Sequence, residues 1–315
     1  MTRRRLLPSV VAALAVLVAF NLAVATATRL TARRKFLARL QGAPTETGLL
    51  FLGNSLFEDG VDPEAFVASW RSARQAPVVF NAALHATSPV EHVLILRQAF
   101  SRLSGVRYVV YGSFDDQLSS RPDTGWQDMI SSRALAYSFP DEAAALYSPG
   151  SWATQWQFRA MSLLPMLADR TTLWSKVEKL RKGLGALGMP PEANTKEDLN
   201  ELRTRLDGLV QEDRGLSAAV KELFRLAEAQ GTRVFVVEMP SGRPPEFHDE
   251  PTSRTLRAYN RAQVEAANGI YIDASHWVQD RRYYKDGVHL NPEGARLFSA
   301  QLGEEISRRV ERSAD

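Results

Sequence analysis

The hydrophobic residues of the chain fall into short runs, separated by segments in which apolar and polar residues recur with helical spacing. Four to eight apolar residues bounded by turn-forming residues are typical of strands buried on both faces. The runs that fit this description are Leu49–Leu52, Pro77–Asn81, Arg107–Gly112, Arg233–Glu238 and Ile270–Asp273. Because helical segments alternate with them, the pattern predicts parallel strands with right-handed crossovers, in a doubly wound α/β sheet of about five strands.

The longest apolar run lies near the N-terminus, from Leu6 to Ala27, and contains no charged residue. It follows three arginines and has about the length needed to cross the hydrocarbon core of a bilayer. We expect an uncleaved transmembrane anchor that leaves the rest of the chain outside the cytoplasm. Ala25-Thr26-Ala27 has the form of a signal-peptidase site, and Pro8 and Asn21 weaken the span. A cleaved signal segment on a secreted or periplasmic protein is therefore the alternative.

These patterns divide the chain into three parts. Residues 1–28 form the anchor or signal segment, residues 29–45 a basic neck and linker, and residues 46–315 the sheet domain. About a hundred residues separate the third predicted strand from the helix before the fourth, which is too long for one crossover. We therefore expect a helical insertion over about residues 117–215.

The first part of this insertion is rich in large apolar side chains, which need to be buried. They are Trp126, Tyr137, Tyr147, Trp152, Trp156, Phe158, Met161, Met166 and Trp174. Such a cluster is typical of a helical subdomain with its own small core. The alternative interpretation is a lid or an acceptor-binding surface beside an active site.

Composition narrows the possible functions. The formal net charge is +3, from 39 basic and 36 acidic residues, and much of the basic excess flanks the N-terminal apolar run. This distribution favours a basic collar near a membrane over a nucleic-acid groove, so we expect no nucleic-acid partner. The chain has no cysteine, which excludes disulfides and a cysteine nucleophile, and its five histidines lack the helical spacing of a zinc site. We expect neither a metal nor a cofactor.

Ser55 follows the first predicted strand, in the sequence Gly53-Asn54-Ser55, where Gly53 lets the chain turn sharply. Ligands bind beyond the carboxyl ends of the strands in open α/β sheets, so this hydroxyl is placed for chemistry. The same residues also make ordinary turns, and Ser55 could instead cap the helix that follows. Because a serine hydroxyl is a weak nucleophile at neutral pH, a catalytic role requires a base.

Candidates for the base and its partner stand near the C-terminus. Asp286 and His289 are three residues apart, just ahead of a helix predicted to begin at Pro292. An imidazole can take the proton of a serine, and a carboxylate can fix the tautomer of the imidazole and stabilise its charged form. Taken alone, His289 also fits a structural histidine, and Asp286 fits a turn or cap residue.

Gly53-Asn54-Ser55 after the first strand, and Asp286-x-x-His289-Leu290-Asn291-Pro292-x-Gly294 before the last helix, together resemble the first and fifth sequence blocks of the SGNH/GDSL hydrolases. The resemblance covers about residues 46–113 and 231–310. It implies a three-layer α/β/α fold of flavodoxin-like type. It also implies a triad in which Ser55 attacks an ester carbonyl, His289 is the general base and Asp286 orients it.

Two positions depart from the family pattern. In the family, a glycine after the second strand and an asparagine after the third help the N–H of the nucleophile to form the oxyanion hole, which stabilises developing negative charge. Ala86 stands where the glycine is expected and keeps a backbone N–H, whereas Phe114 stands where the asparagine would be. The candidate oxyanion-hole residues are therefore Ser55, Ala86, Ser113 and Asn54.

The anchor and the triad together predict a membrane-anchored serine esterase or O-acyltransferase. We expect it to act through a covalent acyl-enzyme on acyl esters of a cell-envelope or exported polysaccharide. The expected partners are the ester or glycan substrate, the membrane and, as the resemblance to anchored members of the family implies, a membrane acyl-transporting protein. The missing asparagine favours the alternative, a catalytically weak or inactive scaffold or glycan-binding component of an envelope assembly.

Overall fold

The computed structural model describes residues 3–71, 75–85, 87–119, 135–147, 151–169, 177, 199–213 and 215–312. The chain divides into two compact units. One unit contains Met1–Arg39 and Pro122–Glu192, and the other contains Leu40–Arg121 and Ala193–Asp315. We call them the anchor unit, after the predicted anchor that it contains, and the sheet unit. The predicted insertion is thus shared, because its residues from Pro122 to Glu192 belong to the anchor unit and its residues on either side belong to the sheet unit.

The described residues form the following elements of secondary structure. The strands are β1 (Leu49–Leu52), β2 (Val79–Asn81), β3 (Tyr108–Ser113), β4 (Arg233–Glu238) and β5 (Ile270–Asp273). The helices are α1 (Arg3–Ala25), α2 (Thr31–Gln41), α3 (Ser55–Gly60), α4 (Pro63–Ala68), α5 (Pro89–Phe100), α6 (Pro140–Tyr147), α7 (Trp152–Leu163), α8 (Pro165–Ala168), α9 (Leu199–Gln211), α10 (Ala218–Ala229), α11 (Pro245–Asp249), α12 (Pro251–Ala266) and α13 (Pro292–Arg312). A π-helical turn, Thr26–Leu30, joins α1 to α2, and 3₁₀ turns span Ala136–Ser138 and Arg281–Tyr283.

The sheet unit is built on a five-stranded parallel sheet in the order β2-β1-β3-β4-β5. In its centre, Leu50 of β1 pairs with Phe80 of β2 on one side and with Val109 of β3 on the other. The chain therefore moves outward from β1 in both directions, which is the flavodoxin-like arrangement. The prediction of a doubly wound α/β sheet of about five strands is confirmed.

Helices cover both faces of this sheet. Side chains at alternate strand positions, such as Phe51, Val110 and Phe235, form one buried core with Phe57 of α3 and Phe298 of α13. The intervening strand positions face the opposite way, because successive side chains of a strand alternate between the faces. There the hydroxyl of Tyr111 in β3 is hydrogen-bonded to the Nδ1 atom of His92 in α5, at 3.0 Å. The result is a three-layer α/β/α fold.

The anchor unit begins with a helical path that runs through α1, the π-helical turn and α2. Within it, the span Pro8–Gln41 is the one helical segment of the described residues that is long and apolar enough to cross a membrane. Its most apolar stretch has a mean hydropathy of 2.4 and is 6% buried. By its length and composition, this stretch fits either a membrane anchor or a signal sequence.

The described part of the insertion in the anchor unit has a small aromatic core. Phe158 of α7 is fully buried, and its ring is stacked on Tyr137 and tilted against Tyr147, with centroid distances of 5.1 and 5.0 Å. Trp152 and Trp156 do not join this core and are 74% and 54% exposed. Two other tryptophans of the predicted cluster lie outside the described residues: Trp126 and Trp174.

Candidate active site

The turn that carries Ser55 is shaped by close packing around Phe57, which is fully buried. A Cβ atom on Gly53 would lie 2.9 Å from the Cβ of Phe57, and one on Gly112 of β3 would lie 2.4 Å from the Phe57 ring. Only glycine lets β1, β3 and α3 come this close together. Gly53, predicted to allow a sharp turn, is required here by this close approach.

Ser55 is the first residue of α3, and Asn54 is the residue that caps this helix. The Oδ1 atom of Asn54 accepts a hydrogen bond from the N–H of Leu56 at 3.0 Å. The hydroxyl of Ser55 is therefore not used as a cap. Ser55 is half-buried at the carboxyl end of β1. This is the edge of the sheet where the strand order reverses, and in such folds the crevice between β1 and β3 is the usual ligand site.

The loop between β5 and α13 carries Asp286 and His289. Within this loop, the N–H of Lys285 donates to the carbonyl of His289 at 2.9 Å, which closes a tight local turn. Asn291 then starts α13, because its Oδ1 atom accepts hydrogen bonds from the N–H groups of Glu293 and Gly294 at 3.1 and 3.0 Å. Backbone pairing and a helix cap therefore fix the loop on both sides of His289.

Ser55, His289 and Asp286 form a continuous chain of hydrogen bonds. The Nε2 atom of His289 lies 2.9 Å from Oγ of Ser55, and its Nδ1 atom lies 2.8 Å from Oδ2 of Asp286. The other oxygen of Asp286 accepts hydrogen bonds from the N–H groups of Val288 and His289, at 2.8 and 2.7 Å. This is the geometry of a nucleophile, a base and an orienting carboxylate. The structure thus brings together the three residues predicted to form a triad.

The environment of Asp286 favours its charged form. Partial burial acts to raise the pKa of this carboxyl, but the hydrogen bonds from the backbone of His289 and Val288, and from the His289 ring, outweigh that effect. The pKa of Asp286 is therefore below its ordinary value. An ionised carboxylate here holds the proton of the imidazole on Nδ1, which leaves Nε2 free to accept the proton of Ser55.

The four residues predicted to form the oxyanion hole differ in whether the structure leaves them able to donate a hydrogen bond there. Ser55 contributes the first N–H of α3, and such N–H groups have no acceptor within their own helix. The hydroxyl of Ser113 donates to the carbonyl of Val237 at 3.3 Å and lies 3.4 Å from a carboxyl oxygen of Glu238, so both partners belong to β4. The carboxamide oxygen of Asn54 is engaged as the cap of α3. Ala86 lies outside the described residues.

A second polar group near the carboxyl end of β4 was not anticipated from the sequence. Glu238 is buried, and its carboxyl group meets the N–H of Asp115 at 3.2 Å and the hydroxyl of Tyr271 at 3.1 Å. Arg243 forms a two-pronged ion pair with Asp115, with both distances 2.8 Å. We call Glu238, Asp115, Arg243 and Tyr271 the buried ionic cluster. The signal in the sequence is an acidic residue that closes an otherwise apolar run, Val234–Val237.

The site contains no recognisable metal-binding arrangement among the residues that the structure describes. In that part of the chain, no group of three or more histidine, aspartate or glutamate side chains is arranged to hold a metal ion. The interactions of His289 and Asp286 described above are those of an acid–base pair, with the ring facing a serine hydroxyl.

Comparison of the sequence with models of known families and with curated proteins finds no match. Among solved structures, the chain is similar to a GDSL-like lipase from Bacteroides thetaiotaomicron, with 12% identity, 88% of this chain and 97% of that chain covered, and a TM-score of 0.42. It is also similar to Est24, a carbohydrate acetylesterase from Sinorhizobium meliloti, with 10% identity, 83% and 99% covered, and a TM-score of 0.37.

Proposed function

We propose that this chain is a membrane-anchored serine esterase or O-acyltransferase of the SGNH/GDSL type. The observation that carries the proposal is the hydrogen-bonded chain from Ser55 Oγ through His289 to Asp286, with distances of 2.9 and 2.8 Å. Ser55 and His289 are 234 residues apart in the sequence. Covalent acyl transfer requires a nucleophile paired with a base in this way, and the switch point of an α/β sheet is the usual place for a ligand.

In the first half of the reaction, Nε2 of His289 takes the proton of Ser55 as Oγ attacks the carbonyl carbon of an ester. Asp286 stabilises the imidazolium that results, because its carboxylate accepts the Nδ1–H hydrogen bond. The negative charge on the former carbonyl oxygen is stabilised by the N–H of Ser55. When the tetrahedral intermediate collapses, the C–O bond to the alcohol breaks, and His289 returns its proton to the departing alkoxide.

In the second half, a hydroxyl-bearing molecule attacks the acyl group on Ser55 while His289 again acts as the base. If that molecule is water, the products are a carboxylic acid and the free enzyme; if it is a hydroxyl of a sugar, the acyl group is transferred to the sugar. Both outcomes use the same three residues. The choice between them depends on which acceptor reaches the acyl-enzyme.

The anchor supports a substrate in the cell envelope. A helix such as α1 holds the enzyme at the membrane, and a domain outside the cytoplasm meets the polymers of the envelope and those being exported. We propose acyl esters of such a polysaccharide as the substrates, and a membrane acyl-transporting protein as a partner.

The chemistry is tested on the full chain in detergent with a fluorophosphonate probe and with p-nitrophenyl acetate. We expect covalent labelling of the wild type, no labelling of Ser55→Ala, and loss of p-nitrophenol release in that variant by about 10³-fold or more. Ser101→Ala serves as the control, since the hydroxyl of Ser101 only donates to the carbonyl of Gln98. Unchanged labelling of Ser55→Ala would remove Ser55 from the mechanism.

A second candidate function is an inactive scaffold or glycan-binding component of an envelope assembly. It is favoured by the engagement of the Ser113 hydroxyl with β4, together with Phe114 in place of the family's asparagine. Loss of one oxyanion-hole donor costs about 3–4 kcal/mol in hydrolases. This candidate predicts no fluorophosphonate labelling of the wild type and a normal cellular phenotype for His289→Ala.

A further inference from the structure

We propose that α7 and α8 lie in the interfacial layer of the membrane, with an exposed apolar face of α7 in contact with lipid. We call Trp152, Trp156 and Leu163 the tryptophan face, and these side chains are 74%, 54% and 75% exposed. Their spacing of four and seven residues places them along one side of the helix. This inference rests on the anchor of the proposed function and adds to it a second site of membrane contact.

The first argument is the position of the break between α7 and α8. Asn21 lies inside the apolar run of α1, where an amide side chain is costly unless its hydrogen bonds are satisfied. Its Nδ2 atom donates to the carbonyl of Leu163 at 2.9 Å, and its Oδ1 atom accepts from the N–H of Met166 at 3.2 Å. These are backbone groups that the break at Pro165 frees from helical pairing. Asn21, predicted to weaken the span, therefore holds the break between α7 and α8 against α1 through these two hydrogen bonds.

The second argument is depth. Asn21 is six residues before Ala27, the end of the apolar run, which corresponds to about 9 Å along the helix axis. The backbone of Leu163 and Met166 therefore lies level with the apolar part of α1 rather than beyond its end. If α1 spans a bilayer, this corner is below the membrane surface. Trp152 is eleven residues from Leu163, or about 16 Å along α7, which keeps it within reach of the headgroup layer.

The corner is also held firmly at the end of α1. The carboxylate of Asp169, directly after α8, is fully buried and accepts hydrogen bonds from Thr28 at 2.5 Å and from Arg29 at 3.1 Å. The Arg29 guanidinium also donates to the backbone carbonyls of Ser162 and Met161. These contacts tie α7 and α8 to the end of α1 and so set their depth relative to the anchor.

The third argument identifies the occupant of the tryptophan face. The neighbouring surface of α1 at the same level is itself apolar and open, because Phe20 and Leu22 are 56% and 61% exposed. Tryptophan is enriched at membrane–water interfaces, because its apolar ring can contact lipid while its polar N–H contacts the headgroups or water. Lipid that surrounds α1 therefore continues onto α7.

The test uses the absence of cysteine from the chain. Single cysteines are introduced as Trp156→Cys and Leu163→Cys, labelled with an environment-sensitive fluorophore, and reconstituted as the full chain in nanodiscs of phosphatidylethanolamine and phosphatidylglycerol. Leu17→Cys reports on the anchor itself. Gln157→Cys is the matched control, since Gln157 is exposed on α7 about 100° around the helix from Trp156.

We expect labels at positions 156 and 163 to be quenched by doxyl lipids and reduced by dithionite several-fold more slowly than the label at position 157. The inference is overturned if the label at position 17 contacts lipid while those at 156 and 163 are open to water, and the anchor then still stands. It is also overturned if 156 and 163 are shielded from both quenchers, because a protein then covers the face. A water-exposed label at position 17 removes the anchor, and the inference with it.

Discussion

Two carboxyl groups at the same edge of the sheet, Asp286 in the triad and Glu238 in the buried ionic cluster, meet opposite electrostatic conditions. Asp286 is half-exposed, and the N–H groups of Val288 and His289 and the ring of His289 surround it with hydrogen-bond donors. The pKa of Asp286 is lowered as a result. Glu238 is enclosed, and burial together with the neighbouring Asp115 raises its pKa to about 8.

The difference shows that the number of hydrogen-bond donors around a carboxyl group and its exposure to solvent, rather than its position in the fold, determine which protonation state is favoured. The triad needs a charged carboxylate to stabilise an imidazolium, and the donors around Asp286 provide the conditions for it. Glu238 faces Asp115, whose charge is already paired with Arg243. Burial and the neighbouring charge of Asp115 therefore favour the protonated form of Glu238.

The largest expected effect comes from removing the charge of Asp286. Asp286→Asn leaves a side chain of the same shape but no longer holds His289 in the required tautomer, so we expect kcat/KM for p-nitrophenyl acetate to fall by about 10²–10⁴-fold. Thermal stability should change much less than activity. If activity stays within threefold of wild type, Asp286 does not orient the base, and the contrast between the two carboxyl groups has no catalytic meaning.

The next largest effect is on the stability of the buried ionic cluster. Arg243 and Asp115 are buried, and Arg243→Met removes the guanidinium that pairs with the carboxylate of Asp115, so we expect the free energy of unfolding in urea to fall by about 3–5 kcal/mol. The double variant Asp115→Asn/Arg243→Met should recover part of this loss. Asparagine suits this site because Asp115 has a φ of 51°. Equal stability of the single and double variants would contradict the account.

Glu238→Gln tests the protonation of the cluster through pH. Because the folded pKa is about 8 and the ordinary value is 4.5, the folded chain retains a proton that the unfolded chain releases. The stability from this group is complete below pH 4.5 and is lost as pH rises through 8, with a slope of up to about 1.4 kcal/mol per pH unit. Urea unfolding between pH 5 and 8 should show a shallower slope in Glu238→Gln. Glu228→Gln, at an exposed position of α10, is the control. Identical slopes in Glu238→Gln and wild type would show that Glu238 is ionised in the folded chain as it is in the unfolded chain, which would contradict the raised pKa.

The smallest effect is expected at the rim of the triad. Lys285 lies 2.6 Å from Asp59 of α3 and ties the histidine loop to the nucleophile helix, but the two side chains are 46% and 21% exposed. Exposed ion pairs contribute about 0–1 kcal/mol, so Lys285→Met should shift the free energy of unfolding by less than about 1 kcal/mol. We also expect kcat/KM to remain within tenfold. A loss as large as that of Asp286→Asn would show that this rim contact positions His289.

The sequence contained enough to predict the sheet and the three residues now seen in contact. Apolar runs indicate which segments are buried from the local sequence alone. Ser55, Asp286 and His289 stand in short motifs whose residue types and spacing suit a nucleophile, a base and an orienting carboxylate. The order of the elements then restricted the fold to a parallel, doubly wound sheet.

What could not be predicted depends on pairs that are distant in the sequence. Asn21 was interpreted as weakening the span, but its partners are Leu163 and Met166, more than a hundred residues away. Glu238 was counted as the end of a strand, since nothing local indicates that Asp115 lies beside it. The role of Gly53 also follows from the closeness of the Phe57 side chain and not from its own conformation.

The separation of Ser55 from His289 has a consequence during synthesis of the chain. The nucleophile leaves the ribosome 234 residues before the base that activates it, an interval of roughly 10–50 s at ordinary elongation rates. Through that interval the serine has no partner and the growing chain cannot acylate itself on substrates it meets. If the triad acts as proposed, a chain that ends before position 289 lacks the base and cannot form the acyl-enzyme, so activity requires synthesis to continue beyond that residue.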